Sequence, residues 1–337
     1  MTTPRVYVIH ENPEWFPPFA AAFEAEGVPV EELLLTDGGA LGSIDLGAEP
    51  APGVYWSRMS ASSHTRGNEH SKEYARALLG WLERSGATVV NGSHVLELEV
   101  SKVAQHGLLR DAGFDVPRTT AVFGSAALQD AARAFTDGQD VPFITKHNQG
   151  GKGLGVRRFD TLAEFDAYVD SPEFEAPVDG ITLLQELLTA REPFITRAEF
   201  VGGEFVYAVR VDTSAGSFEL CPADACEVPQ VIAGAVCDVP GAETPGAPEA
   251  FSLRTEVTAE HPLVQQLRTF LADQRIQVAG VEFMETTDGR TVVYDVNTNT
   301  NYNPAVEAAA PVSGPRAIAR FTGALLEQAY AASATTV

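Results

Sequence analysis

Apolar runs and amphipathic stretches alternate along the first third of the chain. The short apolar runs are rich in β-branched and aromatic residues and predict buried strands; they cover residues 5–9, 28–35, 53–58 and 87–91. Residues 17–27 and 70–86 carry apolar residues at helical spacing and end in glycine, which predicts helices. Because strands and helices alternate, residues 1–95 predict an open α/β domain built on a parallel sheet.

A second region, residues 96–180, continues the alternation of helices and strands. The main expected elements cover residues 96–116, 119–124, 125–138, 141–147 and the helix TLAEFDAYVD. Ser125 is the expected cap of the helix over residues 125–138. The glycine-rich segment NQGGKGLGV, residues 148–156, directly follows the strand over 141–147.

A third region, residues 181–337, contains two predicted hairpins. After a strand over 181–188, the two strands within 195–211 are joined by Gly202-Gly203, a frequent hairpin turn. VAGVEFMET and TVVYDVN flank Asp288-Gly289 in the same way. HPLVQQLRTFLADQ and the tail from PRAIARF onward predict helices, and residues 238–252, rich in Pro, Gly and Ala, predict an exposed loop.

The composition of the chain excludes several classes of partner. Acidic residues outnumber basic ones 46 to 23, for a net charge of −23, so we expect neither nucleic acid nor an anionic membrane surface as a partner. No apolar run reaches the ~20 residues of a bilayer-spanning helix, and the N-terminus lacks a signal-peptide pattern, which predicts a cytoplasmic protein. The cysteines have no fourth metal ligand nearby and predict ordinary thiols; they are Cys221, Cys226 and Cys237.

The glycine-rich segment is the first candidate for chemistry. Backbone N–H groups of glycines can close on phosphate oxygens because no Cβ is in the way. Lys146 stands near the end of the preceding strand, and Gly151, Lys152 and Gly153 lie within the segment. The spacing differs from that of a P-loop. A glycine-rich hairpin without a ligand is the alternative to a nucleotide site.

The second hairpin supplies hard oxygen ligands. Its tight turn places Glu282 opposite Asp295, and Asn297 lies two residues further along and shares a face with Asp295. Two carboxylates and an amide oxygen suit Mg2+ that also contacts nucleotide phosphates. The alternative is a polar outer strand face followed by asparagines that cap their own backbone.

Taken in order, these motifs resemble those of the ATP-grasp enzymes, and most closely the branch of glutamate ligases that act on ribosomal-protein and cofactor tails. The resemblance extends from Val54 to Tyr302. It rests on a lysine-bearing strand, a glycine loop, a Gln-Glu strand, an arginine-bearing hairpin and a closing Asp-x-Asn hairpin. It implies an α/β (α+β) chain with the ATP-grasp fold, in which an N-terminal open parallel α/β domain precedes two subdomains that sandwich the nucleotide.

The resemblance also implies roles for individual residues. Lys102 and Lys146 match the phosphate-binding lysines, and Arg210 matches the arginine that steadies the transferring phosphoryl group, so Lys146 and Arg210 are the expected catalytic residues. The adenine-binding strand is expected at Gln185-Glu186-Leu187-Leu188. The expected ligands of Mg2+, or alternatively Mn2+, are Glu282, Asp295 and Asn297.

Three departures from the family pattern bear on the site and its substrate. Asp295 stands where the family usually has Glu, which implies a shifted metal. No acidic residue directly precedes Arg197, which leaves Glu192 as the expected ribose contact. FELCPADAC replaces the basic segment of the glutamate ligases, which implies a different substrate.

Two polar segments are expected to contact the substrates. One follows a strand of the N-terminal sheet, at the carboxyl edge where open α/β sheets bind ligands; it supplies Arg58, Ser60, His64 and Arg66. Its arginines suit a carboxylate ligand or, alternatively, ion pairs with surface acids. The other is the asparagine series Asn299, Asn301 and Asn303, which would hydrogen-bond a polar substrate or cap turns.

Together these features predict an ATP-dependent carboxylate–amine ligase. One substrate carboxylate would become an acyl phosphate, and an amine would displace the phosphate, with ADP and phosphate as products. We expect amino acid, small-peptide or metabolite substrates, and family members often form homo-oligomers. The alternatives are a kinase that phosphorylates a small hydroxyl acceptor and a nucleotide-binding module without activity.

Overall fold

The computed structural model describes residues 3–37, 44–151, 155–214 and 250–330. Its first sheet has four parallel strands in the order β2-β1-β3-β4; they are β1 Arg5–His10, β2 Val30–Leu34, β3 Gly53–Ser57 and β4 Thr88–Val90. Helices α1 (Pro17–Ala25) and α2 (Ser71–Arg84) pack on opposite faces through separate apolar clusters. The predicted open parallel α/β arrangement is confirmed.

The second sheet is antiparallel, with the order β5-β8-β6-β7. Its strands are β5 Thr119–Phe123, β6 Phe143–His147, β7 Arg157–Phe159 and β8 Ile181–Glu186. Helices α5 (Leu128–Phe135) and α6 (Leu162–Val169) cover it over a phenylalanine-rich core. Strand β8 belongs to this sheet, although it follows the expected boundary at residue 180; the domain boundaries themselves stay predictions.

The third sheet has five antiparallel strands in the order β11-β10-β9-β12-β13. They are β9 Phe194–Val201, β10 Glu204–Asp212, β11 Phe251–Leu253, β12 Val278–Glu285 and β13 Thr291–Asn297. Both predicted hairpins are present, with Gly202 and Gly203 at φ 64° and 78° and Gly289 at φ 88°. Helix α7 (Pro262–Asp273) packs on one face of the sheet. Most of the loop expected over 238–252 lies outside the described residues.

The stretch expected as one helix over 96–116 forms two, α3 (Ser93–Glu99) and α4 (Lys102–Asp111), so that prediction is wrong. Ser101 between them is extended, with φ −143° and ψ 103°, and its hydroxyl accepts a hydrogen bond from the Ala104 N–H. A side-chain cap therefore starts a new helix at this point. The break sets Lys102 at the first position of α4.

The expected Ser125 cap is also wrong. Ser125–Ala127 forms a short 3-10 turn preceded by Gly124, which has no side chain to cap it, and α5 begins at Leu128. Helices α8 (Pro304–Ala309) and α9 (Gly314–Tyr330) end the described chain, and α9 packs against α1. Across the described ranges, no helix combines the length and the apolar character needed to cross a membrane.

Candidate active site

One face of the third sheet collects the residues expected to bind metal. Residues directly opposite each other in an antiparallel pair point to the same side. Glu282 of β12 lies opposite Asp295 of β13 and Arg197 of β9, and Gly280 lies opposite Asn297. The predicted pairing of Glu282 with Asp295 is confirmed. We call the side of the sheet that carries these five residues the site face.

The two carboxylates of the site face are buried beside each other. Glu282 is 2% exposed and Asp295 is 8% exposed. Burial, reinforced by the neighbouring Asp295 charge, raises the pKa of Glu282 to about 6. Burial also works to raise the pKa of Asp295, but the Lys102 ammonium, which contacts its carboxylate, outweighs burial and lowers that pKa. The pair therefore carries more negative charge than its contact with Lys102 offsets.

The donor set on this face fits a hard divalent cation. The Asn297 side-chain N–H donates to Glu282 Oε1 at 3.3 Å, which holds the amide against the carboxylate pair. In the described part of the chain, no three His, Cys, Asp or Glu side chains cluster as a metal site. Two carboxylates and an amide oxygen are too few for a closed protein cage, but they suit Mg2+, which keeps waters and phosphate oxygens among its ligands.

Two lysines converge on Asp295, one from helix α4 and the other from strand β6. Lys102 begins α4, where its N–H donates to the Asn148 carbonyl at 3.2 Å, and Asn148 Oδ1 accepts the Val103 N–H at 2.9 Å. Lys146, on β6, has its Nζ 5.3 Å from the Tyr294 ring centroid, and its charge also lowers the pKa of Asp295. Gly151 follows in the described chain, whereas Lys152 and Gly153 lie outside the described residues.

Arginine reaches the site face from β9, not from β10. Arg197 Nε donates to Glu199 Oε1 at 2.7 Å, another of its nitrogens lies 3.7 Å from Glu282 Oε1, and Nη2 contacts the Thr300 hydroxyl. Arg210 pairs with Thr196 on the opposite face, where its guanidinium lies 4.2 Å from the Phe194 ring centroid. The structure therefore does not bring Arg210 to the metal residues, and its catalytic role stays a prediction.

Gly280 makes room for the Arg197 side chain. A Cβ at residue 280 would lie 2.5 Å from Arg197 Nε and 3.0 Å from its guanidinium carbon, closer than real Cβ contacts. Motif matching alone assigns no role to Arg197 itself. Its position depends on the pairing of β9 with β12, strands separated by more than seventy residues of chain, which local patterns do not encode.

No family model matches the sequence, and no curated protein matches it. Several solved structures, in contrast, resemble this chain. The RimK domain ATP-grasp protein from Sphaerobacter thermophilus is 18% identical, with a TM-score of 0.61 over 94% of this chain and 99% of that one. The D-Ala:D-Ser ligase VanG from Enterococcus faecalis is 14% identical, with a TM-score of 0.65 over 96% and 100%.

The ATP-grasp ligase PsnB, solved with a phosphomimetic variant of its minimal precursor, Mg and ADP, is 16% identical to this chain. Its TM-score is 0.59 over 96% of this chain and 100% of PsnB. This chain has the ATP-grasp fold. At these identities the likeness establishes the fold, and the chemistry of the site rests on the residues themselves.

In the ATP-grasp fold of this chain, the expected adenine strand is β8 and the residues that follow it. The Glu186 carboxylate accepts the Arg118 N–H at 2.8 Å and an Arg290 guanidinium N–H at 3.1 Å, so it is held by protein groups. Gln185 Oε1 is buried without a hydrogen-bond partner among the described residues. Leu187 and Leu188 are partly buried, and Glu192 is exposed just before β9.

The arginines of the N-terminal loop are also held by protein groups. Arg58 is 1% exposed and donates to Asn301 Oδ1 at 2.7 Å and to the Thr300 carbonyl at 3.3 Å. Arg66 pairs with Glu11, a buried carboxylate, at 2.5 Å. Arg58 thus connects the first sheet of this ATP-grasp chain to the segment after β13. Neither arginine pairs with a surface acid, contrary to that alternative.

The remainder of this loop faces the glycine-rich segment. Ser60 Oγ and Ser62 Oγ share a hydrogen bond at 2.8 Å, and a Cβ at Gly151 would lie 3.2 Å from Ser62. His64 Nδ1 lies 3.4 Å from Lys72 Nζ, and burial together with the Lys72 charge lowers the pKa of His64. The imidazole is therefore neutral near pH 7, beside the site rather than on the site face.

The asparagine series divides into different uses. Asn303 Oδ1 accepts the N–H groups of Ala305 and Val306 at 2.9 and 3.2 Å and caps α8, so the self-capping interpretation is confirmed there. Asn301 Oδ1 accepts the Arg58 bond. Asn299 Oδ1 is buried without a hydrogen-bond partner in the described ranges. Of the three, Asn299 is the asparagine whose side-chain oxygen is still available for the substrate contact expected from the sequence.

Two buried glutamates near the site were missed by sequence reasoning. Glu199 is 2% exposed and accepts hydrogen bonds from Arg197 and from the Thr300 hydroxyl. Glu99, at the end of α3, accepts the Thr298 N–H at 2.8 Å and fixes the segment that leaves β13. Both lie in otherwise ordinary amphipathic stretches, and only their neighbours in the fold distinguish them.

Proposed function

We propose that this chain is an ATP-dependent ligase that joins a carboxylate to an amine through an acyl phosphate, with ADP and phosphate as products. The observation that carries the proposal is the convergence of Lys102 and Lys146 on the buried Glu282–Asp295 pair. Without ligands, the lysines pair with the buried carboxylates. When a polyphosphate and its metal bind, the metal can take over the carboxylates and the lysines can pair with phosphate oxygens.

The reaction requires mainly that the substrates are held in position and that the negative charge on the phosphate groups is offset. A carboxylate oxygen of the first substrate attacks the γ-phosphorus of ATP and ADP leaves; the amine nitrogen then attacks the acyl carbon, phosphate leaves and the amine loses a proton. Mg2+, or Mn2+ in its place, would bind Glu282, Asp295 and Asn297 and offset phosphate charge. Lys102 and Lys146 would release Asp295 to the metal and bind phosphate oxygens.

Arg197 takes the role first expected of Arg210. Its guanidinium is fixed by Glu199 and Thr300 beside Glu282, so it holds a positive charge where negative charge develops during phosphoryl transfer. The neighbours support the reaction class, since VanG is a D-Ala:D-Ser ligase and PsnB was solved with Mg and ADP. We propose amino acids, small peptides or related metabolites as substrates.

Hydroxylamine trapping tests the proposal. The protein is incubated with ATP, MgCl2, hydroxylamine and a panel of amino acids, dipeptides and hydroxy acids, and ADP and hydroxamates are measured. We expect ADP together with a hydroxamate for at least one acid; replacing hydroxylamine by amines then yields a product lighter by one water than the summed substrates. A phosphorylated product would show a kinase instead, and the absence of ADP throughout would show a nucleotide-binding module.

A further inference from the structure

Asn148 is a buried polar residue to which the proposed reaction gives no role. It directly follows β6, the strand of Lys146, and is 5% exposed. Its N–H donates to the Ile181 carbonyl at 3.1 Å, which continues the pairing of β6 with β8 by one residue. The backbone of Asn148 is therefore fixed relative to Lys146 at the point where the glycine-rich segment begins.

The start of α4 is bonded to this residue. The first N–H groups of a helix have no acceptor within the helix and need one from outside. In α4, the Lys102 N–H donates to the Asn148 carbonyl at 3.2 Å, and the Val103 N–H donates to Asn148 Oδ1 at 2.9 Å. The Ala104 N–H donates to the Ser101 hydroxyl oxygen at 3.2 Å. Asn148 thus supplies two of these three acceptors, and protein groups hold the start of α4.

The Asn148 amide is also fixed from its other side. Its Nδ2 donates to Asp179 Oδ2 at 2.7 Å, while Asp179 Oδ1 accepts the Ile181 N–H at 3.0 Å. An amide can accept from an N–H group on one side and donate to a carboxylate on the other. The reverse orientation would set an N–H group against the Val103 N–H and an oxygen against the Asp179 carboxylate. The network therefore admits one orientation of Asn148.

These hydrogen bonds set the separation of the two lysines that converge on Asp295. Lys146 lies on β6 two residues before Asn148, and Lys102 is the first residue of α4. Both ammonium groups act on Asp295 in the ligand-free chain. Because Asn148 joins α4 to β6, the backbones of the two lysines keep a fixed separation. Both charges can then meet phosphate oxygens without the cost of being ordered on binding.

We propose that Asn148 is a positioning residue for the nucleotide, which holds Lys102 and Lys146 as one preformed pair of phosphate-binding charges. Asn148 acts through the start of α4 and needs no contact of its own with the phosphates. This inference rests on the proposed function, because it takes the two lysines as the groups that bind phosphate oxygens. It adds the residue that sets their separation.

A double-mutant cycle between Asn148 and Lys102 tests the inference. Binding of AMPPNP with Mg2+ to the full chain is measured by titration calorimetry for the wild type, Asn148→Ala, Lys102→Met and the variant with both changes. We expect Asn148→Ala to weaken binding about tenfold in the wild type, but less than about twofold when Lys102→Met is already present. A loss that is only structural would be the same in both backgrounds. Equal losses in the two backgrounds, or no loss in the wild type, would overturn the inference.

Exchanging the side chains of Asn148 and Asp179 gives a second test, which decides the question if Asn148→Ala does not fold. Asn148→Asp alone sets two carboxylates against each other and should weaken AMPPNP binding about tenfold. Adding Asp179→Asn should restore binding to within about twofold of the wild type. An amide then again donates to a carboxylate, and the N–H groups of Val103 and Ile181 keep their oxygen acceptors. Failure of the exchange to restore binding would overturn the inference.

Thr161→Ala is the matched control, because Thr161 caps α6, where its hydroxyl oxygen accepts the Glu164 N–H at 3.2 Å. It should leave AMPPNP binding unchanged; a loss as large as that of Asn148→Ala would show that losing any helix cap impairs the site and would overturn the inference. Hydroxylamine trapping is scored separately. The expected binding pattern without ADP or hydroxamate contradicts the proposed function and leaves the role of Asn148 standing, whereas no binding of AMPPNP by the wild type contradicts both.

Discussion

The two hairpins of the third sheet each contain one extra residue, with opposite consequences for the site. In β12–β13, Glu282 pairs with Asp295 but Phe283 pairs with Val293, so Tyr294 is the extra residue. In β9–β10, Phe205 pairs with Phe200 but Tyr207 pairs with Glu199, so Val206 is the extra residue. A one-residue shift turns every later side chain to the other face.

The bulge at Tyr294 brings Asp295 onto the site face, whereas the bulge at Val206 turns Arg210 away from it. With unbroken pairing from the Gly202-Gly203 turn, Arg210 would have shared a face with Arg197. Matching residues to a family motif therefore establishes the strand on which they lie but not the face to which they point.

Asp295→Ala should lower ATP turnover by about a thousandfold, because it removes a charged group from the centre of the phosphate and metal site. Turnover is measured as ADP release with the substrates found by hydroxylamine trapping. Asp288→Ala, at the turn of the same hairpin, is the control and should remain active. Full activity of folded Asp295→Ala protein would show that the site lies elsewhere.

Arg197→Gln and Arg210→Gln compare the two hairpins directly. We expect Arg197→Gln to lower kcat by about a hundredfold, since it removes a fixed charge beside Glu282, and Arg210→Gln to change it by less than about threefold. Steady-state kinetics of both variants provide the measurement. The reverse order would restore Arg210 as the catalytic arginine and imply that β10 rearranges when substrates bind.

Glu282→Gln tests, in the absence of substrate, how the buried charge of Glu282 beside Asp295 affects the stability of the fold. The pKa of Glu282 is raised to about 6 in the folded chain, so the carboxyl group stabilises the fold when protonated, and this contribution is lost as pH rises from about 4.5 through 6. The ligand-free variant should therefore be more stable than the wild type at pH 7.5, by up to about 2 kcal/mol, and nearly equal at pH 4.5. Urea unfolding at both pH values measures the difference, and no gain at pH 7.5 would contradict the burial of an ionised Glu282.

Gly280→Ala should have the smallest effect, a loss of about tenfold in kcat. The new Cβ would displace the Arg197 guanidinium, and a shift of an ångström in a charged group is costly in catalysis. Gly203→Ala, whose Cβ would meet nothing within 4 Å, controls for loss of glycine, although its φ of 78° adds strain. Unchanged kcat in Gly280→Ala would mean that Arg197 has room to move.

Local patterns were enough to predict most elements and to bring Glu282 and Asp295 together across a tight turn. The register counted from that turn would pair Glu282 with Tyr294, however, and only the bulge places Asp295 opposite Glu282. Local patterns were not enough for Arg197, whose neighbour Glu282 belongs to a strand distant in sequence. They predicted one helix over residues 96–116, whereas the chain forms two, because the N-cap at Ser101 interrupts an otherwise continuous helical pattern. Burial of Arg58 depends on Phe19, which is distant in sequence, as well as on Trp56, two residues before it.

The Arg58 hydrogen bonds to Thr300 and Asn301 limit which segments of this chain can be exchanged with those of another protein. A chimera that took residues 1–95 from another ATP-grasp chain would leave Asn301 without its arginine, and a foreign segment after β13 would leave Arg58 buried without its acceptors. Breaking a buried charged contact on one side is strongly destabilising. We therefore expect a stable chimera only when the first sheet and residues 298–303 are exchanged together.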